Sequence, residues 1–112
     1  MKNIALVDDK DYGIIQIKNS IPDSCEYEFY YFSSYKEALN KHFDILFLDY
    51  YLDIDWVTGE DVFDQLSADI IIWFSSVSDC NQKLMNKWAQ FGVEKLKSEI
   101  NPELDQIMKK IV

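Results

Sequence analysis

The sequence predicts an α/β domain, a doubly wound, mostly parallel sheet of five strands flanked by five helices. Three observations predict it. Short apolar runs alternate along the chain with stretches whose apolar residues recur at helical spacing. Two of the runs, FDILFL (43–48) and DIIIWF (69–74), are close to continuous, as in strands buried on both faces. Several runs also end on polar residues (LVDD, FLDY, WFSS), at the end of a parallel sheet where ligands bind.

The elements follow in order. NIALV (3–7) is the first strand. Ile14, Ile17 and Ile21 then mark a helix that closes at Pro22. CEYEFYYF (25–32) alternates, with Tyr27, Phe29 and Tyr31 on one face, which suits a half-exposed edge strand. In SSYKEALNKH, Ser34 precedes Glu37 by three residues and predicts a capping box and a second helix. Residues 43–48 form the third strand. TGEDVFDQL puts Val62, Phe63 and Leu66 on one helical face, with Thr58 as N-cap. Residues 69–74 form the fourth strand. CNQKLMNKWAQFG places Leu84, Trp88 and Phe91 at i, i+4 and i+7, with Gly92 as a stop. VEKLK (93–97) is a short strand at the other edge. NPELDQIMKKIV closes the chain, with Asn101 as cap, Pro102 in the first turn and Leu104, Ile107, Met108 and Ile111 on one face.

At 112 residues the chain is read as one domain, residues 1–112, long enough to bury roughly 65% of its unfolded surface. An apolar content of 48% excludes disorder. No apolar stretch reaches the roughly 18 residues of a membrane span. MKNIALVDDK meets acidic residues too early for a signal peptide, so a cytoplasmic location is expected. A net charge of −9 argues against direct nucleic-acid binding. Cys25 and Cys80 are too far apart for metal-ligand spacing and read as ordinary thiols. The single histidine, His42, gives no basis for zinc.

The strand ends carry the chemistry. If the first and third strands are neighbours, Asp8, Asp9 and Asp49 converge at one sheet edge. Crowded carboxylates repel, and one of them must hold a proton unless a cation intervenes. Oxygen ligands without His or Cys suit a hard cation such as Mg²⁺. A lone strand-end Asp more often caps the next helix, as Asp9 can, but three polar strand ends in one sheet are hard to explain that way.

With these residues in hand, the chain resembles the receiver domains of bacterial two-component response regulators, the CheY-like superfamily, over essentially its whole length. The matching residues are the acidic pair in LVDDK, the Asp in FLDYYLD, the Ser of IIIWFSS and a late lysine in EKLKSE. The resemblance implies a flavodoxin-like sheet of strand order 2-1-3-4-5. It implies that Asp49 accepts a phosphoryl group from the phosphohistidine of a sensor histidine kinase or phosphotransfer protein. Mg²⁺ would be held by Asp8, Asp9, Asp49 and the Tyr51 carbonyl. Ser75 would bond a phosphoryl oxygen, with Ser76 the less suited neighbour. A lysine would neutralise charge. The interval from Ser75 selects Lys97 for that role, although Lys95 has the same strand parity and register alone does not exclude it. Such a domain catalyses its own phosphorylation and slow dephosphorylation and signals through the loop 76–80, the fourth helix and the fifth strand to a downstream protein.

Three features depart from the family. Ser98 follows Lys97 where proline is usual. Glu94 stands three residues before Lys97, where the family has a switch aromatic; Trp88 and Phe91 are better read as helix packing than as its substitutes. The loop from Asp49 to Gly59 is longer than usual and lacks its proline. It carries Asp53 and Asp55, read as solvated charges, and Trp56, expected either to pack over the site or to stand exposed as a partner anchor. Tyr51 is expected to screen an acyl phosphate from water. The alternative is a degenerate receiver, a protein-binding module that switches without phosphate. A phosphatase of the haloacid dehalogenase type needs a second Asp two residues after the nucleophile, and position 51 is Tyr.

Overall fold

The computed structural model describes residues 1–76 and 91–112. The elements are β1 (Lys2–Val7), α1 (Gly13–Ser20), β2 (Tyr27–Phe32), β3 (His42–Leu48), β4 (Tyr51–Leu52), β5 (Val57–Thr58), α2 (Gly59–Val62), β6 (Ser67–Ser75), β7 (Phe91–Glu94) and α3 (Pro102–Ile111). Five strands form one parallel sheet in the order β2-β1-β3-β6-β7. Counting those five alone, the order is the expected 2-1-3-4-5. The small strands β4 and β5 pair antiparallel as a separate hairpin.

The apolar runs divide strictly by parity. Ile4, Leu6, Ile45, Phe47, Ile72 and Phe74 face a core that is closed by Ile17 of α1 and by Leu104 and Met108 of α3. Ala5, Val7, Leu46, Leu48 and Trp73 face the other side, against Leu52, Val62 and Leu66. A central strand covered on both faces needs no polar alternation, and for that reason the runs look continuous. β2 and β7 are the edges, as the alternation of β2 predicts.

Three α-helices are present among the described residues, and two expected helices are shorter than the spacing predicts. After Ser34 the chain forms only a 3₁₀ turn, Tyr35–Ala38, because Leu39 is extended and Asn40 adopts φ 63°. The Ser34 hydroxyl accepts from the Lys36 N–H at 3.3 Å and donates to Asp55, so the expected pairing with Glu37 is replaced. After Thr58, which makes a true capping box with Asp61, one α turn passes directly into a 3₁₀ turn, Phe63–Gln65. The expected fourth helix, with Cys80, Leu84 and Trp88, lies outside the described residues. Phe91 and Gly92, expected to end it, instead begin β7, so this strand starts two residues earlier than VEKLK suggests.

The last helix behaves as read. Asn101 caps it through the Leu104 N–H at 3.3 Å, Pro102 opens it, and Lys109 and Lys110 lie in its final turn, where they favour the helix dipole. No helix among the described residues is long and apolar enough to cross a membrane.

Candidate functional site

The sheet register brings the polar strand ends level. Val7 pairs with Leu48, and the Asp49 N–H reaches back to the Val7 carbonyl at 3.1 Å, so Asp8 and Asp49 each stand one residue beyond a matched pair. On the other side Ser75 pairs with Glu94, and the Lys95 N–H bonds the Ser75 carbonyl at 2.9 Å.

The side chains converge accordingly. Carboxylate oxygens of Asp8, Asp9 and Asp49 all lie within 4.8 Å of one another. Asp8 is fully buried, Asp49 is 6% exposed and Asp9 is half-buried. Asp8 also accepts from the Lys10 N–H at 3.0 Å, Asp49 from the Tyr50 N–H at 2.9 Å and Asp9 from the Asp53 N–H at 3.2 Å.

The lysine at this cluster is Lys95, not Lys97. The Lys95 ammonium is hydrogen-bonded to Asp8, lies 3.7 Å from Asp49 and is 4.8 Å above the Tyr12 ring. Lys97 is exposed and lines a surface pocket with Tyr12, Ile15, Ser98 and Glu99. The physical reason is the early end of β7. Lys95 is the first residue past the strand and is still tied to Ser75, whereas Lys97 has already left the sheet. The residue following the site lysine is therefore Leu96, and the residue three before it is Gly92, so neither a proline nor an aromatic occupies those places.

Electrostatics follow from burial and crowding. Burial raises Asp8, against the opposing bond and charge of Lys95. Asp49 is pushed up to about 7 by burial and then by the neighbouring Asp8 charge, with Lys95 pulling the other way. For Lys95, burial alone would lower its pKa, but the charges of Asp49 and Asp8 outweigh it and the group stays charged.

The remaining residues take distinct places. Ser75 is buried at the end of β6, and Ser76 is exposed. Tyr51 is 48% exposed and stands edge-on to Tyr50, with ring centroids 4.8 Å apart. Asp53 is exposed. Asp55 is not merely solvated, because its carboxylate accepts from the Ser34 hydroxyl and the Tyr35 N–H. Trp56 is 93% exposed at φ 56°, which removes the possibility that it packs over the site. Gly59 is required by a close approach. A Cβ there would stand 2.5 Å from both the Asp49 carbonyl oxygen and the Trp73 ring. The Asp49 carbonyl and the Trp73 ring thus both border Gly59, and Trp56 does not.

No family model and no curated protein sequence matches the chain. Solved structures do. The CheY-like response regulator receiver domain protein from Methanospirillum hungatei JF-1 superposes with a TM-score of 0.65 at 19% identity, covering 99% of this chain and 94% of that one. The chain has the receiver-domain fold. The response regulator domain of Thermotoga maritima CheB matches with a TM-score of 0.65 at 15% identity, over 98% and 90% of the two chains. The BeF3-activated DrrB receiver domain matches with a TM-score of 0.64 at 18% identity, over 99% and 94%. All three similarities cover nearly the whole of this chain.

Proposed function

We propose that this chain is a phosphoacceptor receiver domain of two-component signalling, with Asp49 as the acceptor. One observation carries the reading: a buried lysine, Lys95, reaches two carboxylates, Asp8 and Asp49, at the ligand-binding end of a receiver-type sheet. A merely structural salt bridge needs one carboxylate. Two carboxylates, with a third within reach, leave an excess of negative charge.

That donor set fits Mg²⁺. The ligands are all oxygens, they are close enough to share one ion, and burial holds Asp8 and Asp49 above the usual carboxylate range. Asp8, Asp9 and Asp49 would hold the ion, together with the Tyr51 carbonyl. When bound, it would neutralise phosphoryl oxygens and the excess charge of the carboxylates.

The chain's own residues then have separate tasks. An Asp49 carboxylate oxygen attacks the phosphorus of a phosphohistidine in line. The new O–P bond forms as the P–N bond breaks, and the donor imidazole leaves with the electron pair. Lys95, in the role expected of Lys97, neutralises charge on an equatorial oxygen. The Ser75 hydroxyl donates to another and reports that the site is filled. The added charge of about −1.5 to −2 at this edge biases the surface read by a downstream protein. The donor is a sensor histidine kinase or phosphotransfer protein, this chain works in the cytoplasm, and the output is a protein contact rather than nucleic acid or membrane.

The test is incubation of the wild type with Mg²⁺ and acetyl phosphate, with mass spectrometry of the intact chain and Asp49→Asn alongside. One base-labile phosphoryl group, absent from Asp49→Asn, is the expected result. No modification of folded wild type would favour the phosphate-independent binding module instead.

A further inference from the structure

Gln16 sits among the apolar residues of α1's inner face, fully buried beside Ile17. Its carboxamide grips one residue from both sides. Nε2 donates to the Leu96 carbonyl, and Oε1 accepts from the Leu96 N–H at 3.1 Å. Oε1 takes a second bond from Asn101 Nδ2 at 3.0 Å, and the same Asn101 amide donates to the Glu94 carbonyl at 2.9 Å. Asn101 is itself fixed as the cap of α3.

Glu94 and Leu96 flank Lys95. β7 is an edge strand that ends at Glu94, and the Lys95 N–H on the Ser75 carbonyl is its last tie to the sheet. The residues from 97 to 100 are exposed and outside any helix or strand. Lys95 is therefore the point where an exposed, irregular loop joins the sheet, yet its ammonium is held against two carboxylates. α1 also shapes the path of the side chain. A Cβ on Gly13 would come 2.9 Å from the Phe74 ring and 3.1 Å from Lys95 Cδ, so the glycine gives both side chains room.

We propose that Gln16, locked by Asn101, is a positioning residue that fixes the main chain beyond Lys95 and so aims the ammonium at Asp8 and Asp49. The catalytic consequence rests on the reading of Lys95 given above, whereas the clamp itself does not. A buried amide has a strong need for its partners, because unpaired polar groups in a low-dielectric interior are costly.

Two variants separate this from a general packing role. Gln16→Met keeps length and volume but has no amide. Asn101→Ser keeps the helix cap and removes the donor to Gln16 and Glu94. Two readouts are taken on folded protein: hydrogen exchange at the Leu96 amide, and the rate of phosphoryl incorporation from acetyl phosphate across donor concentrations. In Gln16→Met, Leu96 protection should fall at least about 10-fold more than that of β1 and β3 amides. The saturated rate should drop about 10- to 100-fold with the half-saturating donor concentration unchanged, as expected for a misplaced charged group. Asn101→Ser should move both in the same direction by less. Should Gln16→Met not fold, Asn101→Ser decides the matter. Unchanged Leu96 protection, or an unchanged saturated rate in a wild type that phosphorylates, overturns the proposal. A wild type that takes no phosphoryl group overturns the functional reading instead, and Leu96 protection still decides whether the clamp exists.

Discussion

Replacing Asp49 by Asn should make the metal-free protein more stable, and by an amount that depends on pH. In the native state Asp49 titrates at about 7 instead of 3.8, first because it is buried and then because Asp8 is beside it. A folded-state pKa above the unfolded one means that the native state binds the proton more tightly. The resulting stability is fully present below about pH 4 and is lost as pH rises through about 7, beyond which the ionised group is a constant burden. A shift from 3.8 to about 7 corresponds to about 4 kcal/mol. Asn carries no charge but must bury an amide, at about 1 kcal/mol if one proton is left unpaired. The expected gain is therefore about 3 kcal/mol above neutrality, or about 10 °C in Tm for a domain of this size.

The assay is thermal unfolding of wild type and Asp49→Asn by circular dichroism, in chelator, from about pH 4 to about pH 8. The Tm difference should be small at the acid end and grow steadily toward neutrality. Adding Mg²⁺ at about ten times its dissociation constant should then raise the wild type by about 1.4 kcal/mol and leave Asp49→Asn nearly unchanged. An Asp49→Asn protein that melts below wild type at neutral pH would refute the reasoning, as would a difference that does not vary with pH.

Five further variants have expected outcomes. Lys95→Met leaves two buried carboxylates without their cation, so it should lower stability near neutrality by about 3 kcal/mol and abolish phosphorylation; Lys97→Ala should alter stability by less than about 0.5 kcal/mol and leave the phosphorylation rate intact. Gly59→Ala drives a methyl group into the Asp49 carbonyl and the Trp73 ring, and calorimetry should show a loss of about 1–3 kcal/mol. Trp56→Asn puts a residue that tolerates positive φ where an exposed indole now sits, and should gain about 0.5–1 kcal/mol in denaturant titration. Tyr51→Asn should speed loss of the phosphoryl group from Asp49, followed by mass spectrometry after donor removal; an unchanged or slower rate excludes a water-screening role for Tyr51.

The sheet was legible because its signals are redundant. Each buried strand repeats its apolar identity over several residues, and parity assigns alternate side chains to two cores, so an error of one or two residues at a boundary does not change the architecture. A site has no such redundancy. Lys95 and Lys97 share parity, and the choice between them turned on where the last strand ends. Phe91 and Gly92 looked like the end of a helix, because Phe91 completes the series from Leu84 through Trp88 and Gly92 is a common stop. Hydrogen bonding to β6 recruits both into β7 instead, and the start of the strand and the lysine that meets the carboxylates both lie two residues earlier. The tighter spacing between Ser75 and Lys95 was in the sequence, but only tertiary pairing gives it weight. Gln16 was harder still to find. A single amide on a helix face marked by isoleucines reads as a surface position, and its role exists only once Leu96 and Asn101, some 80 residues on, are folded against it. Long-range polar contacts of this kind have no period, and so the parts of the site that orient its lysine stay hidden from a linear reading even where the acidic residues themselves are plain.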